Sequence, residues 1–404
     1  WPVCEAMRWN LAHAEKALRP QKVSSGLLVH KSARIEYHPL GVIGVICPWN
    51  FPLQNVLAPA IPAIMAGNAA LVKVSEWTSW SAARIQQIFD EALRAEGHSV
   101  DLVQLITGYG PTGAALVTSG VDKIVFTGSI GNGKRVLQAS VDNLTPVILE
   151  LGGKDPMIVC DDADLEQAVH NALVGTLTSA GQLCMAAERI YVFDAVHDEF
   201  VAMAARIVGQ LRQGNPLGEL KVDVGAMTMP GQVDIVERLV NDAVARGARA
   251  LVGGKRSPTG QFFEPTVLVD VDHSMAIMRE ETFGPVMAIM RVRDEHEAIA
   301  LANDCAYGLS SSVFTRDHAR GERIARQIVA GSTVINDFAM HYMAQDLPFG
   351  GVRGSGFGRL NGPEGLRGMC NTKAVVSDRL PFHNALKMYP VKPAAYDTAR
   401  GVFK

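Results

Sequence analysis

Residues 123–135 read Lys123-Ile124-Val125-Phe126-Thr127-Gly128-Ser129-Ile130-Gly131-Asn132-Gly133-Lys134-Arg135. A β-branched apolar run gives way to small residues, and a helical stretch follows over 131–140. This is a strand, a tight turn and a helix N-terminus. The turn Phe126-Thr127-Gly128-Ser129 has two readings. It either holds an anion on backbone N–H groups or only joins a strand to a helix, and the residues alone leave both open.

The same alternation runs along the chain. Strands are expected at 42–47, 71–74, 103–106, 123–127, 146–149, 156–160, 189–193, 266–270, 286–292, 309–314 and 332–336. Helices are expected at 5–18, 131–140, 164–178, 196–212, 231–246, 295–303 and 317–329. Another helix has Thr78 or Ser79 as its cap, an apolar face of Ile85, Ile88, Phe89, Ala92 and Leu93, and Gly97 at its end. Alternating strand and helix argues an α/β chain with mainly parallel sheets and helices on both faces. Residues 26–38 alternate around Leu28, Ile35 and Tyr37 and read as a projecting hairpin; Ala374-Val375-Val376 reads as an edge strand. The likeliest boundary is the Gly152-Gly153 turn.

The chain has 404 residues, 48% hydrophobic and 20% charged, with a formal net charge of −3. That length allows two or three sizeable cores. The near-neutral balance gives no footprint for nucleic acid. The six cysteines are scattered, without disulfide or metal-ligand spacing, which suits a reducing compartment. No charged residue occurs from Gly41 to Val72, but Pro48, Pro52, Pro59 and Pro62 interrupt that stretch. It reads as a buried strand, a functional loop and a core helix, not a membrane span. Trp1 stands where an initiator Met would, as in a fragment or processed product, and no signal peptide opens the chain.

Several stretches carry candidate chemistry. Glu150-Leu151-Gly152-Gly153-Lys154 puts a carboxylate before a Gly-Gly turn, and Ala180-Gly181-Gln182-Leu183-Cys184 puts a thiol after a glycine. A base and a soft nucleophile are what covalent chemistry on a carbonyl needs. Against this, a buried Cys is usually a small hydrophobe. Pro48-Trp49-Asn50-Phe51-Pro52 fixes an amide between two prolines, suited either to a structural turn or to donation to an oxyanion. Lys73 and Glu76 form a surface pair or, at a cofactor groove, reach ribose hydroxyls. Gly108-Tyr109-Gly110-Pro111-Thr112-Gly113 matches GxGxxG but lacks the acidic residue expected some twenty positions on. Glu280-Glu281-Thr282-Phe283-Gly284-Pro285 sets acids and an aromatic beside a Gly-Pro turn.

Pro48-Trp49-Asn50-Phe51-Pro52, Lys73-Val74-Ser75-Glu76, Phe126-Thr127-Gly128-Ser129, Glu150-Leu151-Gly152-Gly153-Lys154, Gly181-Gln182-Leu183-Cys184, Glu281-Thr282-Phe283-Gly284-Pro285 and Pro348-Phe349-Gly350-Gly351 occur in the order seen in the aldehyde dehydrogenase superfamily, which the chain resembles from about residue 21 to about 380. The wording around Tyr37-His38-Pro39-Leu40-Gly41 and Ile335-Asn336-Asp337-Phe338 looks most like the plant family 22 enzymes and their bacterial relatives. The resemblance implies an α/β fold: a Rossmann-like parallel-sheet cofactor domain, an α/β catalytic domain and a small β oligomerisation element. The implied ranges are 1–20 with 40–152, 153–345, and 21–39 with 360–404. Most of the family's N-terminal region, which in some members carries a membrane anchor, is absent before Trp1.

The roles follow residue by residue. Cys184 is the implied nucleophile, Glu150 the base that activates water, and Asn50 the oxyanion amide. NAD, in preference to NADP, is the implied cofactor. Its expected contacts are Ile46, Trp49, Lys73, Glu76, Gly108, Gly128, Ser129, Gly133, Leu151, Glu281 and Phe283. The expected substrate lining is Phe51, Leu53, Val56, Leu183, Met185, Phe338, Met340, Tyr342, Met343 and Phe349. The implied partner is a small-molecule aldehyde, with no nucleic acid, no metal and a homodimer or homotetramer in the cytoplasm. The expected reaction is oxidation to a carboxylic acid through a Cys thiohemiacetal and thioester. A coenzyme A-dependent acylating enzyme and an inactive cofactor-binding homologue are the alternatives.

Overall fold

The structure, a computed structural model, describes residues 2–218, 221–379, 390 and 393–402. Three sheets organise these residues. The first has six strands in the order Gly356–Phe357, Val147–Leu151, Lys123–Gly128, Val42–Ile46, Ala69–Lys73 and Val103–Ile106. All pairs are parallel except that of Gly356–Phe357. The first parallel strand in the chain thus lies centrally. The next two extend to one side and the last two to the other, so the order reverses between Val42–Ile46 and Lys123–Gly128. Ligands of doubly wound sheets bind at such a switch point, beyond the strands' carboxyl ends.

The uncharged stretch resolves as the sequence suggests. Ile43 and Val45 are buried on a central strand, and the helix Pro52–Met65 follows with Pro59 and Pro62 inside it. Asn68 locks this unit: its side chain accepts from the N–H groups of Leu40 and Gly41 and donates to the carbonyls of Ala63 and Met369. Among the described residues no helix is long and apolar enough to cross a membrane.

The second sheet has seven strands: Arg249–Val252, Thr266–Val269, Val286–Val292, Arg189–Phe193, Pro156–Val159, Ser312–Phe314 and Val334–Ile335. The largest buried cluster surrounds it, with Met157, Ile190, Tyr191, Phe200, Phe263 and Phe314 inside. The chain passes from the first sheet to the second across residues 152–155. The third sheet joins Gln21–Val23, Lys31–Pro39 and Cys370–Asp378, all antiparallel. Residues 380–389, 391–392 and 403–404 of the expected 360–404 element lie outside the described residues.

Several local expectations change. The 26–38 hairpin is in fact Gln21–Val23 paired with Lys31–Pro39, and 24–30 form its turn. Neither Thr78 nor Ser79 caps the next helix. Ser75 accepts from Trp77 N and opens a 3₁₀ turn over Glu76–Ser81, and the α-helix runs Ala82–Ala95. Ile88 on its expected apolar face is exposed. The strand over 309–314 shortens to Ser312–Phe314, and the helix over 317–329 to His318–Ala325.

Candidate active site

Three chain segments enter neighbouring strands of the seven-stranded sheet side by side. They lead into Pro156, Arg189 and Val286, and carry the Gly152-Gly153 turn, Cys184 and Glu281 respectively. The amino edge of that sheet therefore faces the carboxyl edge of the six-stranded sheet, where Glu150 and Leu151 end their strand opposite Thr127 and Gly128.

Glycine makes this approach possible. A Cβ on Gly153 would stand 2.2 Å from the Cys184 carbonyl oxygen, and one on Gly152 would stand 2.3 Å from the Glu281 carboxylate. Gly153 N–H donates to Glu281 Oε1 at 3.0 Å. Ser355, fully buried, donates its hydroxyl to the Gly152 carbonyl at 2.7 Å and accepts from Gly308 N–H.

The loop before Cys184 is wound left-handed. Ser179, Ala180 and Gly181 have φ of 52°, 56° and 75°. Such conformations cost free energy for residues other than glycine and persist only when neighbours over-determine them. Gln182 supplies that constraint: its amide donates to the Ser179 carbonyl at 2.7 Å and its Oε1 accepts from Thr228 N–H at 2.8 Å. Its backbone carbonyl accepts from Asn50 Nδ2 at 3.0 Å, and Asn50 Oδ1 accepts from Asn55 Nδ2. An Asn amide carries two N–H donors. One is spent on fixing the loop two residues before Cys184, and the second has no partner among the described residues.

Electrostatics sharpen the picture. Glu150 is buried and its Oε1 has no partner. Burial above all, and then the Asp155 charge, push its carboxyl well above the ordinary range, against a pull from Arg359. Burial and Glu188 push Glu281 up to about 8. The Cys184 thiol is also raised, by burial and then by Glu150, Asp155 and Glu281. Burial is the first reason that these acids and the thiol hold protons, and each ionised carboxylate then opposes the next. Asp155 is a buried acid that the motif reading passed over.

Glu188, too, went unremarked in the sequence. Its Oε2 accepts from Lys154 Nζ at 2.6 Å and Thr282 N–H at 2.7 Å, and its Oε1 accepts from Phe283 N–H at 2.8 Å. Lys154 also donates to Thr282 Oγ1. This fully buried ion pair therefore holds the Glu281–Phe283 loop against the Gly152-Gly153 turn. Phe283, at φ 48°, meets Trp49 edge-on with ring centroids 5.6 Å apart. Glu188→Ala strands a buried ammonium and two N–H groups. Unfolding stability is expected to fall by about 3–5 kcal/mol, read from the urea midpoint. A loss below about 1 kcal/mol, the range of exposed pairs, would contradict this role.

The remaining cofactor candidates line the carboxyl edge of the six-stranded sheet. Ile46 sits opposite Lys73 and Phe126 in register. Lys73 is buried, with its Nζ 3.2 Å from Glu76 Oε2, and Glu76 is exposed. Ser129 caps the helix Ile130–Ala139: its hydroxyl accepts from Asn132 N–H and its carbonyl from Gly133 N–H. The N–H groups of Ile130 and Gly131 then have no partner among the described residues, and a Cβ on Gly131 would meet nothing within 4 Å. That is an open helix N-terminus able to take a phosphate. Gly133 packs against Leu151, 2.6 Å from where its Cβ would stand, and Gly108 has φ 149° with Thr112 beside it.

The expected substrate residues divide. Phe51 and Met185 are half-buried against the main core, and Leu183 is buried there. Leu53 and Met340 are exposed. Val56 is fully buried in the core beside the six-stranded sheet. Phe338 is buried in the main core over Gly175. Phe349 is buried between the rings of His341 and Tyr342. An apolar spacing pattern does not separate a wall from a core.

A family model described as "Aldehyde dehydrogenase family" matches residues 2–375. A putative aldehyde dehydrogenase-like protein of Schizosaccharomyces pombe is 40% identical over 382 residues, covering 93% of this chain and 73% of that protein. A 4,4'-diapolycopene aldehyde oxidase of Methylomonas sp is 39% identical over 404 residues, covering 99% of this chain and 74% of that one. Among solved structures, a betaine aldehyde dehydrogenase from Staphylococcus aureus in complex with NAD+ superposes with a TM-score of 0.87 at 34% identity, covering 94% of this chain and 75% of that chain.

Proposed function

The chain belongs to the aldehyde dehydrogenase family, and we propose that it is an NAD-dependent, hydrolytic enzyme that oxidises an aldehyde to a carboxylic acid through a thioester on Cys184. The observation that carries this reading is the packing of the Cys184 backbone against Gly153, three residues past Glu150, with Asn50 bound to the same loop.

In this reading the Cys184 sulfur adds to the carbonyl carbon, and the free N–H of Asn50 and the Cys184 backbone N–H receive the oxyanion. When bound, NAD supplies the hydride acceptor that turns the thiohemiacetal into a thioester. The open N-terminus at Ile130–Gly131 and the Ser129 cap would hold its phosphates, with Lys73 and Glu76 on one ribose and Glu281 by the other. Glu150 then takes a proton from water, which attacks the thioester and releases the acid and the thiolate. Raised carboxyls at Glu150 and Glu281 stay uncharged to higher pH. This lessens the carboxylate repulsion that adds to burial in raising the Cys184 thiol.

In this proposal the six-stranded sheet binds the cofactor and the seven-stranded sheet carries the nucleophile. The three-stranded sheet, with Leu27 and Val29 exposed at its turn, joins subunits of a homodimer or homotetramer in the cytoplasm. Sizing by light scattering tests the assembly.

One assay separates the alternatives: NADH formation from aldehydes of rising length, with and without coenzyme A. Oxidation without coenzyme A is expected. kcat/KM should rise along the straight-chain series, because each buried methylene adds about 0.8 kcal/mol. A coenzyme A requirement would favour the acylating enzyme. No NADH from any aldehyde would favour an inactive homologue.

Glu76 makes a separate prediction. Its carboxylate stands where a 2′-phosphate would bring like charge, so NAD should be preferred to NADP. Glu76→Gln should narrow that preference by about tenfold, about 1.4 kcal/mol, in the ratio of kcat/KM values. A native preference for NADP would contradict the assignment.

A further inference from the structure

Gln54 lies on the helix Pro52–Met65, four residues past Asn50, and its Nε2 donates to Tyr342 Oη at 2.8 Å. Tyr342 sits in the short helix Met340–Met343, and its ring meets Phe349 edge-on at 4.8 Å. The phenol is therefore fixed twice, by a ring on one side and an amide on the other. Gln54 sets it one helical turn from Asn50, and burial above all, with the charges of Cys184 and Glu150, opposes its ionisation against the pull of Gln54. The hydroxyl thus remains a donor across the working pH range. Its oxygen accepts from Gln54, and no acceptor for its own hydrogen is in reach among the described residues.

A half-buried donor with no protein acceptor can gain a hydrogen bond from a ligand atom. Tyr342 is partly rather than fully buried, so a bound molecule can reach it. Its one ring contact is apolar, Phe349, and Phe51, Leu183 and Met185 of the same expected lining pack on the main core. We propose that Tyr342, oriented by Gln54, is a specificity-determining residue, and that the preferred substrates are aldehydes with an apolar body and one acceptor oxygen (ether, hydroxyl or keto) along it. This rests on the function proposed above and names the substrate class of the same site.

The test compares octanal with its ether isosteres, in which one methylene from C4 to C7 is replaced by oxygen. In the unaltered chain, one ether position is expected to stand out, with kcat/KM about fivefold above its neighbours, the size of a net neutral hydrogen bond. In Tyr342→Phe the ratio of that ether to octanal should fall by about fivefold. A profile with no favoured position would overturn the proposal, and so would a favoured position that persists in Tyr342→Phe. If the unaltered chain forms no NADH from octanal or any ether, the proposed function fails, not the specificity alone.

Discussion

Replacing Cys184 with alanine is expected to abolish NADH formation in the first turnover and in the steady state, by about 10⁴–10⁶, the scale for losing a covalent nucleophile. NAD binding should survive, because every group proposed to hold the cofactor lies on other segments. The buried thiols offer no substitute. Cys47 is buried with its Sγ on the Asn55 carbonyl, and burial drives its thiol far up. The Cys160 thiol is pushed up to about 12 by burial. Cys370 is buried beside the Leu366 carbonyl. Stopped-flow NADH absorbance and calorimetric titration with NAD check both halves. Near-normal turnover in the variant would remove Cys184 from the mechanism. Lost NAD binding with lost turnover would mean that the substitution disturbs the close packing of Gly181 on the Gly284 carbonyl instead.

Much of this arrangement is legible in the residues, for a physical reason. Strands such as Val42–Ile46 and Val286–Val292 are buried on both faces, so they read as apolar runs. Edge strands do not: Arg249–Val252 is exposed along most of its length and the sequence reading missed it. Asn50, Glu150 and Cys184 stand out because each is a reactive or polar group beside a proline or glycine that fixes the chain. Glu188 carries no such local mark. Its partners Lys154 and Thr282 are 34 and 94 residues away, and only the fold brings them together. Asp155 is similar: it reads as one more loop acid until its burial beside Glu150 makes it part of the charge balance. The hydrogen bond from Gln54 to Tyr342 joins residues 288 apart, so only the fold shows that Tyr342, read in the sequence as part of an apolar lining, has a polar partner.

Glu150→Gln separates two roles for this carboxyl. If Glu150 only activates water, the first turnover survives and the steady rate falls by about 10²–10⁴, the range for a lost general base. The sign of the electrostatics makes the burst more informative than mere survival. An ionised Glu150 raises the Cys184 thiol, so above the raised pKa of Glu150 a neutral glutamine lowers it and enlarges the thiolate fraction, while below that value Glu150 is itself uncharged and the substitution leaves the thiol as it was. The burst in Glu150→Gln should therefore be as fast as in the unaltered chain or faster, and its pH dependence should move to lower pH. The steady rate behaves oppositely. Glu150 must be ionised to accept a proton, and burial has raised its pKa well above the ordinary carboxyl range. In the unaltered chain the steady rate should rise with pH through that raised value, and in the variant this limb should vanish. Were Glu150 instead the base that deprotonates Cys184, the burst would slow with the steady rate. Equal losses in the two phases would therefore overturn the assignment. A preserved burst with a flat, slow steady phase is the result expected of the proposed role.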